Sequence, residues 1–162
     1  MNIRVATPDD LPVIHALAHR IWPVAYREIL SSDQLTYMLR LFYNEAELAR
    51  GMTAGEHFFI ADAPTGSVGF SGHTHHFGDR TTRLNKLYVD SSDRSSGIGK
   101  QLVLAVKRAA CEVGDQRITL NVNKYNPAIG FYRYLGFEVV RSEVIDIGSG
   151  YVMDDHVMEC GL

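Results

Sequence analysis

The sequence predicts one mixed α/β domain over residues 1–162, with elements in the order β-α-α-β-β-β-α-β-α-β-β. Three observations lead there. Apolar residues at helical spacing early in the chain (Leu11, Ile14, Leu17, Ala18, Ile21) give way after Gly51 to short runs of strand character. Strand candidates then follow one another from 57 to 89 with no helix between them, which excludes an alternating doubly wound pattern. Helical periodicity returns at Ile98, directly after a polar loop that carries glycines.

Each element has a local reason. Residues 2–6 read as a short strand. Thr7-Pro8-Asp9-Asp10 opens a helix, with Thr7 at the cap, proline in the first turn and acids at the positive end of the dipole. Pro23 is expected to end or bend it. Ser31 and Gln34 are spaced as a capping box before Leu35, Met38, Leu39 and Phe42, and Gly51 is the expected stop. Residues 57–62, 67–76 and 82–89 read as strands, the first two joined by Ala63-Pro64-Thr65-Gly66. Ile98, Leu102, Val106, Ala109 and Val113 share a helical face that ends at Gly114. Residues 117–122 alternate as a strand. Asn126-Pro127 opens a last helix, closed by Leu135-Gly136-Phe137. Strands near 137–145 and 151–159 follow, separated by Gly148-Ser149-Gly150.

Composition narrows the function classes. A net charge of −3 and scattered Lys and Arg residues argue against nucleic acid as a partner. No apolar run approaches a membrane span, and Met1-Asn2-Ile3-Arg4-Val5 lacks the apolar core of a secretory signal, so a cytoplasmic location is expected. Cys111 and Cys160 are too few for a disulfide framework or a zinc knuckle. A homodimer is compatible with all of this.

The chemistry concentrates at Arg94-Ser95-Ser96-Gly97-Ile98-Gly99-Lys100, between a strand and a helix. The first N–H groups of a helix have no helical partner, and its dipole adds positive potential there. Gly97 and Gly99 let an anion approach the backbone, and Arg94 and Lys100 add full charges. This is the composition of a pyrophosphate cradle. Two familiar cradles are excluded. A P-loop needs glycine where Arg94 stands and Ser or Thr where Gln101 stands; a dinucleotide fingerprint needs glycine or alanine at Leu102.

The surroundings of the loop identify it further. Leu87-Tyr88-Val89 ends a strand just before it. Downstream lies Asn126-Pro127-Ala128-Ile129-Gly130-Phe131-Tyr132-Arg133-Tyr134-Leu135-Gly136-Phe137. The chain thereby resembles the GNAT-type acyl-CoA N-acyltransferase superfamily, through Arg94-x-x-Gly97-x-Gly99 and through Asn126, Ala128, Phe131, Tyr132, Gly136 and Phe137. A weaker likeness points to the bacterial polyamine-acetylating branch.

The resemblance implies a GNAT-like fold: a mixed, mostly antiparallel sheet flanked by helices, whose parallel fourth and fifth strands (82–89 and 117–122) splay apart. It implies acetyl-CoA as co-substrate, with no metal. The pantetheine arm would pair with the backbone of Leu87, Tyr88 and Val89, and the pyrophosphate would sit on residues 94–100. Asn126 would reach the arm from the other side. An N–H near Tyr88 or Val89 would stabilise the oxyanion, and Tyr132 would protonate the departing thiolate. The family's strand glutamate is absent from Thr82–Tyr88, which leaves either a relay through ordered water or a group from elsewhere, Asp154, Asp155, His156 or Glu28, to take the proton. Trp22, Tyr26 and Glu28 are expected to wall the acceptor site, with Tyr37 in the same region.

His73 and His75 would point to the same face of a strand, as metal ligands do, yet the spacing offers no third ligand. Neither cysteine lies in a motif, which disfavours a covalent thiol route. The expected function is transfer of acetyl from acetyl-CoA to a primary amine of a small molecule, such as a polyamine, by direct attack. The alternatives are an acyl-CoA sensor without turnover and a protein N-terminal or lysine acetyltransferase.

Overall fold

The computed structural model describes residues 1–162, the side chain of Ser95 excepted. Strand β1 (Asn2–Val5) leads through a 3₁₀ turn (Pro8–Asp10) into α1 (Leu11–Ala25), α2 (Ser32–Phe42) and α3 (Glu45–Thr53). Strands β2 (Glu56–Ala63), β3 (Gly66–Gly78) and β4 (Thr81–Val89) form a meander. A 3₁₀ segment (Ser91–Ser96) then enters α4 (Ile98–Glu112), followed by β5 (Arg117–Asn123), α5 (Ala128–Tyr134), β6 (Glu138–Gly148) and β7 (Tyr151–Gly161).

Two expectations are corrected here. The early region holds three helices, not two. The chain breaks at Tyr43–Asn44, and Asn44 caps a new helix by accepting the Glu47 N–H at 2.8 Å. Gly51 lies inside that helix and does not end it. Pro23 does not end α1, which runs on to Ala25. It sits in the last turns, where a missing N–H removes a single bond, and the ladder resumes with Tyr26 N–H on Trp22 O at 3.0 Å.

The seven strands form one sheet in the order β1-β2-β3-β4-β5-β7-β6. Every neighbouring pair is antiparallel except β4 and β5. One face is covered by α1, α2 and α3, whose Ile14, Leu17, Ile21, Trp22, Met38 and Leu48 pack on Phe58, Ile60 and Phe70. The other face is covered by α4 and α5, through Val103, Val106 and Tyr132 against Ile118, Leu120 and Met158. Each large apolar side chain buried this way contributes about 1.5–3 kcal/mol before entropy is charged against it.

The parallel pair is the feature that positions the site. β4 and β5 pair from Thr81↔Arg117 to Leu84↔Leu120 and then part. The β3–β4 register shifts at the same place, between Gly72 and His73, leaving Asn85 as an extra residue. Past it, Lys86 and Tyr88 turn toward α1–α3, whereas Leu84 packs with the α4 side. The closed end of this fork is tied by Asp115. Its buried carboxylate accepts from Thr82 Oγ1 at 2.6 Å and from the His76 N–H at 3.0 Å.

The β6–β7 hairpin reaches back over the sheet to α2. Tyr37 donates its hydroxyl to Ile147 O at 2.6 Å, and Gln34 Nε2 donates to Val152 O at 2.9 Å. The Tyr37 and Tyr151 rings lie 5.1 Å apart. Among the described residues, no helix is long and apolar enough to cross a membrane.

Candidate active site

A cavity of about 730 Å³ runs through the open end of the fork, from the α4–α5 side to the α1–α3 side. Its wall on the α4–α5 side includes Arg94, Gly97, Gly99, Lys100, Asn126 and Phe131; its far wall includes Trp22, Tyr26, Met38, Tyr43 and Asp155. Leu87, Tyr88, Val89 and Tyr132 line the waist.

The backbone at the waist has a specific polarity. Asp90 N–H bonds Val68 O at 2.8 Å, and Val89 faces Gly69 in the antiparallel register. Hydrogen bonding alternates along such a ladder, so Tyr88 spends its N–H on β3, whereas Leu87 and Val89 direct theirs into the fork. The two N–H groups free to meet a ligand therefore belong to Leu87 and Val89. Tyr88 turns its side chain to the α1–α3 side, where its hydroxyl lies 2.8 Å from that of Tyr26.

The two loop glycines do different work. Gly97 is the left-handed residue (φ +79°) that turns the 3₁₀ segment into α4, which aims the first N–H groups of that helix at the cavity. At Gly99 a Cβ would lie 3.3 Å from Phe131 Cζ, so its glycine allows α4 and α5 to close on each other beside the cradle. Arg94 Nε points back to Val89 O at 3.5 Å, and Lys100 Nζ lies 5.5 Å over the Tyr134 ring. Asn126 uses its Oδ1 to accept the Ala128 N–H at 2.9 Å at the start of α5, which leaves its NH₂ as the group open to a ligand.

The remaining expected residues fall elsewhere. Ile98 is buried in the core under α4. Ser96 turns its hydroxyl to Asp93 O. The side chain of Ser95 lies outside the described residues. Glu28 is exposed, off the cavity lining. Trp22 and Tyr26 line the cavity with Tyr43 and Tyr88, ring centroids 4.6–6.3 Å apart, as an aromatic wall. Sequence reasoning missed Tyr43, Glu56 and Lys86 in that wall. Lys86 donates to Glu56 Oε1 at 2.6 Å, and no local motif announces a pair formed between two strands.

Tyr132 is buried at 8% exposure with its ring between Phe131 and Phe137. Burial pushes its hydroxyl well above the ordinary tyrosine range, and nearby Tyr26 adds to that. It is therefore held as a neutral phenol, the form that can give a proton. Tyr26 is pushed up to about 12 by burial, partly offset by its bond to Tyr88, with Asp155 adding to the rise.

His73 and His75 share a face as expected, their ring centroids 4.8 Å apart, with the His57 ring 5.6 Å and 5.2 Å from them. After the register shift His73 is buried, stacked on Phe59 at 5.2 Å, while His75 Nδ1 lies 2.9 Å from Thr82 Oγ1 and His76 Nδ1 lies 2.8 Å from Asp115 Oδ1. Among the described residues, no group of three or more His, Cys, Asp or Glu is arranged to hold a metal ion.

Comparison with known proteins places this architecture. Residues 54–139 match the acetyltransferase (GNAT) domain family. The chain is 36% identical over 132 residues to the peptidyl-lysine N-acetyltransferase YjaB of Escherichia coli K12, covering 78% of this chain and 76% of that protein. It is 41% identical over 70 residues to the protein of the same name from Salmonella typhimurium LT2, covering 42% of this chain and 45% of that protein, less than half its length. The PaiA N-acetyltransferase of Thermoplasma acidophilum, solved with coenzyme A, superposes with a TM-score of 0.82 over 100% of both chains at 23% identity.

Proposed function

The chain belongs to the GNAT acetyltransferase family, and from that premise we propose that it moves the acetyl group of acetyl-CoA onto the ε-amino group of a lysine side chain. One observation carries the reading: the acceptor side of the cavity is an aromatic channel roofed by the β6–β7 hairpin, suited to one extended alkylamine. Two relatives named as peptidyl-lysine acetyltransferases support a lysine as that amine.

The donor fits the fork on three counts. The orphaned N–H groups of Leu87 and Val89 match an extended amide arm, which can add to β4 as a strand would. The start of α4, with Gly97, Arg94 and Lys100, matches a pyrophosphate. The NH₂ of Asn126, which lines the cavity just before α5, would reach the arm from the other side. Bound there, acetyl-CoA supplies an activated acyl group and a thiolate leaving group. The Val89 N–H would stabilise the charge that develops on the acyl oxygen, and Tyr132 would hold a proton for the sulfur. The amine attacks directly, since neither Cys111 nor Cys160 is among the residues that line the cavity.

A second reading keeps the same chemistry with a small-molecule acceptor such as a polyamine, favoured by the roofing of the channel, which narrows access for a folded protein. The deciding experiment incubates the protein with acetyl-CoA and either a lysine-containing peptide or spermidine, following thiol release and product mass. Faster acetylation of the peptide lysine is expected. Preference for spermidine overturns the lysine reading, and tight CoA binding with no turnover of any amine overturns transfer altogether.

A further inference from the structure

An alkylammonium ion with a pKa of roughly 10.4 must lose a proton before it can attack a thioester. The strand β4 offers no acid for this. Three carboxylates line the cavity: Glu47, Glu56 and Asp155. Two of them are held by cations. Glu47 is paired with Arg50, and Glu56 accepts from Lys86 Nζ at 2.6 Å. Asp155 has no ion pair among the described residues; its one neighbour at hydrogen-bond range is the Asn121 amide, whose Nδ2 lies 3.4 Å from Oδ2.

Its position follows from the sheet. Asp155 stands on β7 opposite Asn123, the last residue of β5, beyond the point where β4 and β5 part. It is 3% exposed, lines the cavity with Met153, and stands close enough to Tyr26 to make that phenol a weaker acid. Asn121 is anchored from behind by Glu143 of β6, with Nδ2 on Oε1 at 2.9 Å. That fixes the amide and limits what it can give to Asp155.

We propose that Asp155 receives the proton of the incoming ammonium and is the general base of the reaction. This rests on the transferase reading above and not on lysine as the acceptor. The balance is simple. The ammonium gives one proton to the Asp155 carboxylate. The neutral amine forms the C–N bond, and the C–S bond breaks. Tyr132 protonates the sulfur and regains its proton from the nitrogen as the amide forms. Asp155 releases its proton to solvent, so one proton leaves per turnover.

The charged surroundings suit this role. Burial raises Asp155 above the ordinary carboxylate range; Asn121 lowers it, Glu143 and Asp154 raise it, and Arg83 of β4 lowers it. From α1 it faces the neutral hydroxyl of Tyr26. A carboxylate raised in this way is a stronger base than an exposed one.

The test is the pH dependence of kcat/KM for the full-length protein and Asp155→Asn, with both a lysine peptide and spermidine, over roughly pH 6 to 10. CoA affinity is measured alongside to show that the nearly isosteric variant keeps its fold. Near neutrality the variant is expected to lose about 10²–10⁴-fold in kcat/KM with CoA affinity unchanged. The deficit is expected to shrink toward high pH, where the free amine needs no base. A deficit that is constant across pH, or no deficit, overturns the role of Asp155. If only spermidine is turned over, the lysine reading fails while the same profile, read on spermidine, still decides Asp155. A wild type inactive on every amine overturns both.

Discussion

The hydroxyls of Tyr26, at the end of α1, and Tyr88, on β4, lie 2.8 Å apart and join the acceptor wall to the strand that borders the fork. Both are partly buried, and desolvation holds them as neutral phenols, Tyr88 well above its ordinary range. Replacing Tyr26 with Phe leaves the Tyr88 hydroxyl without that partner, which costs about 1–3 kcal/mol. A lower melting temperature and a higher KM for the amine are expected, with CoA affinity unchanged. Calorimetry and steady-state kinetics check this.

Tyr132→Phe removes the proposed proton donor while keeping the ring that packs between Phe131 and Phe137. The turnover rate is expected to fall about 10²–10⁴-fold, with little change in CoA dissociation constant. Single-turnover kinetics beside a CoA titration distinguishes this from a packing defect, which would weaken both.

Gly97→Val puts a β-branched residue at φ +79°, although its Cβ would meet nothing within 4 Å. The penalty is therefore one of backbone conformation, about 1–3 kcal/mol, and it re-aims the start of α4. Loss of CoA binding with retained fold is expected by titration and circular dichroism. Unchanged affinity would remove the pyrophosphate from this loop.

His73 is buried, its Nδ1 without a partner, and its pKa is pushed down to about 3 by burial, with His75 and His57 adding. The unfolded chain binds a proton there below about 6.5 and the folded chain does not until about 3. Stability is therefore present above pH 6.5 and is lost as pH falls, by about 1.4 kcal/mol per unit at most in that window. His73→Leu is expected to flatten the stability profile between these values, as measured by denaturant unfolding at several pH values.

Much of this site was legible because it is local. Arg94, Gly97, Gly99 and Lys100 are consecutive or nearly so, and a loop entering a helix is read from spacing alone. The helix after Asn44 escaped because no glycine or proline marks the break at Tyr43; the Asn44-to-Glu47 cap was the signal available. Glu28 was drawn in by residue type and is exposed off the cavity. Asp155 stood among several acids in the sequence. Only the pairing of β7 with β5 and of Glu56 with Lys86 separates it from the others, and such pairings join residues far apart in the chain.

The parting of β4 from β5 after Leu84 leaves the chain with an interior sheet edge whose Leu87 and Val89 donors have no strand to meet. A donor molecule that pairs with them stabilises the folded chain by mass action, about 2.7 kcal/mol at a hundred times its dissociation constant. The metabolite consumed by the reaction would then also act as a chaperone for its own enzyme. Survival of the protein against proteolysis would follow the acetyl-CoA supply, and starvation for acetyl units would deplete the catalyst as well as its fuel.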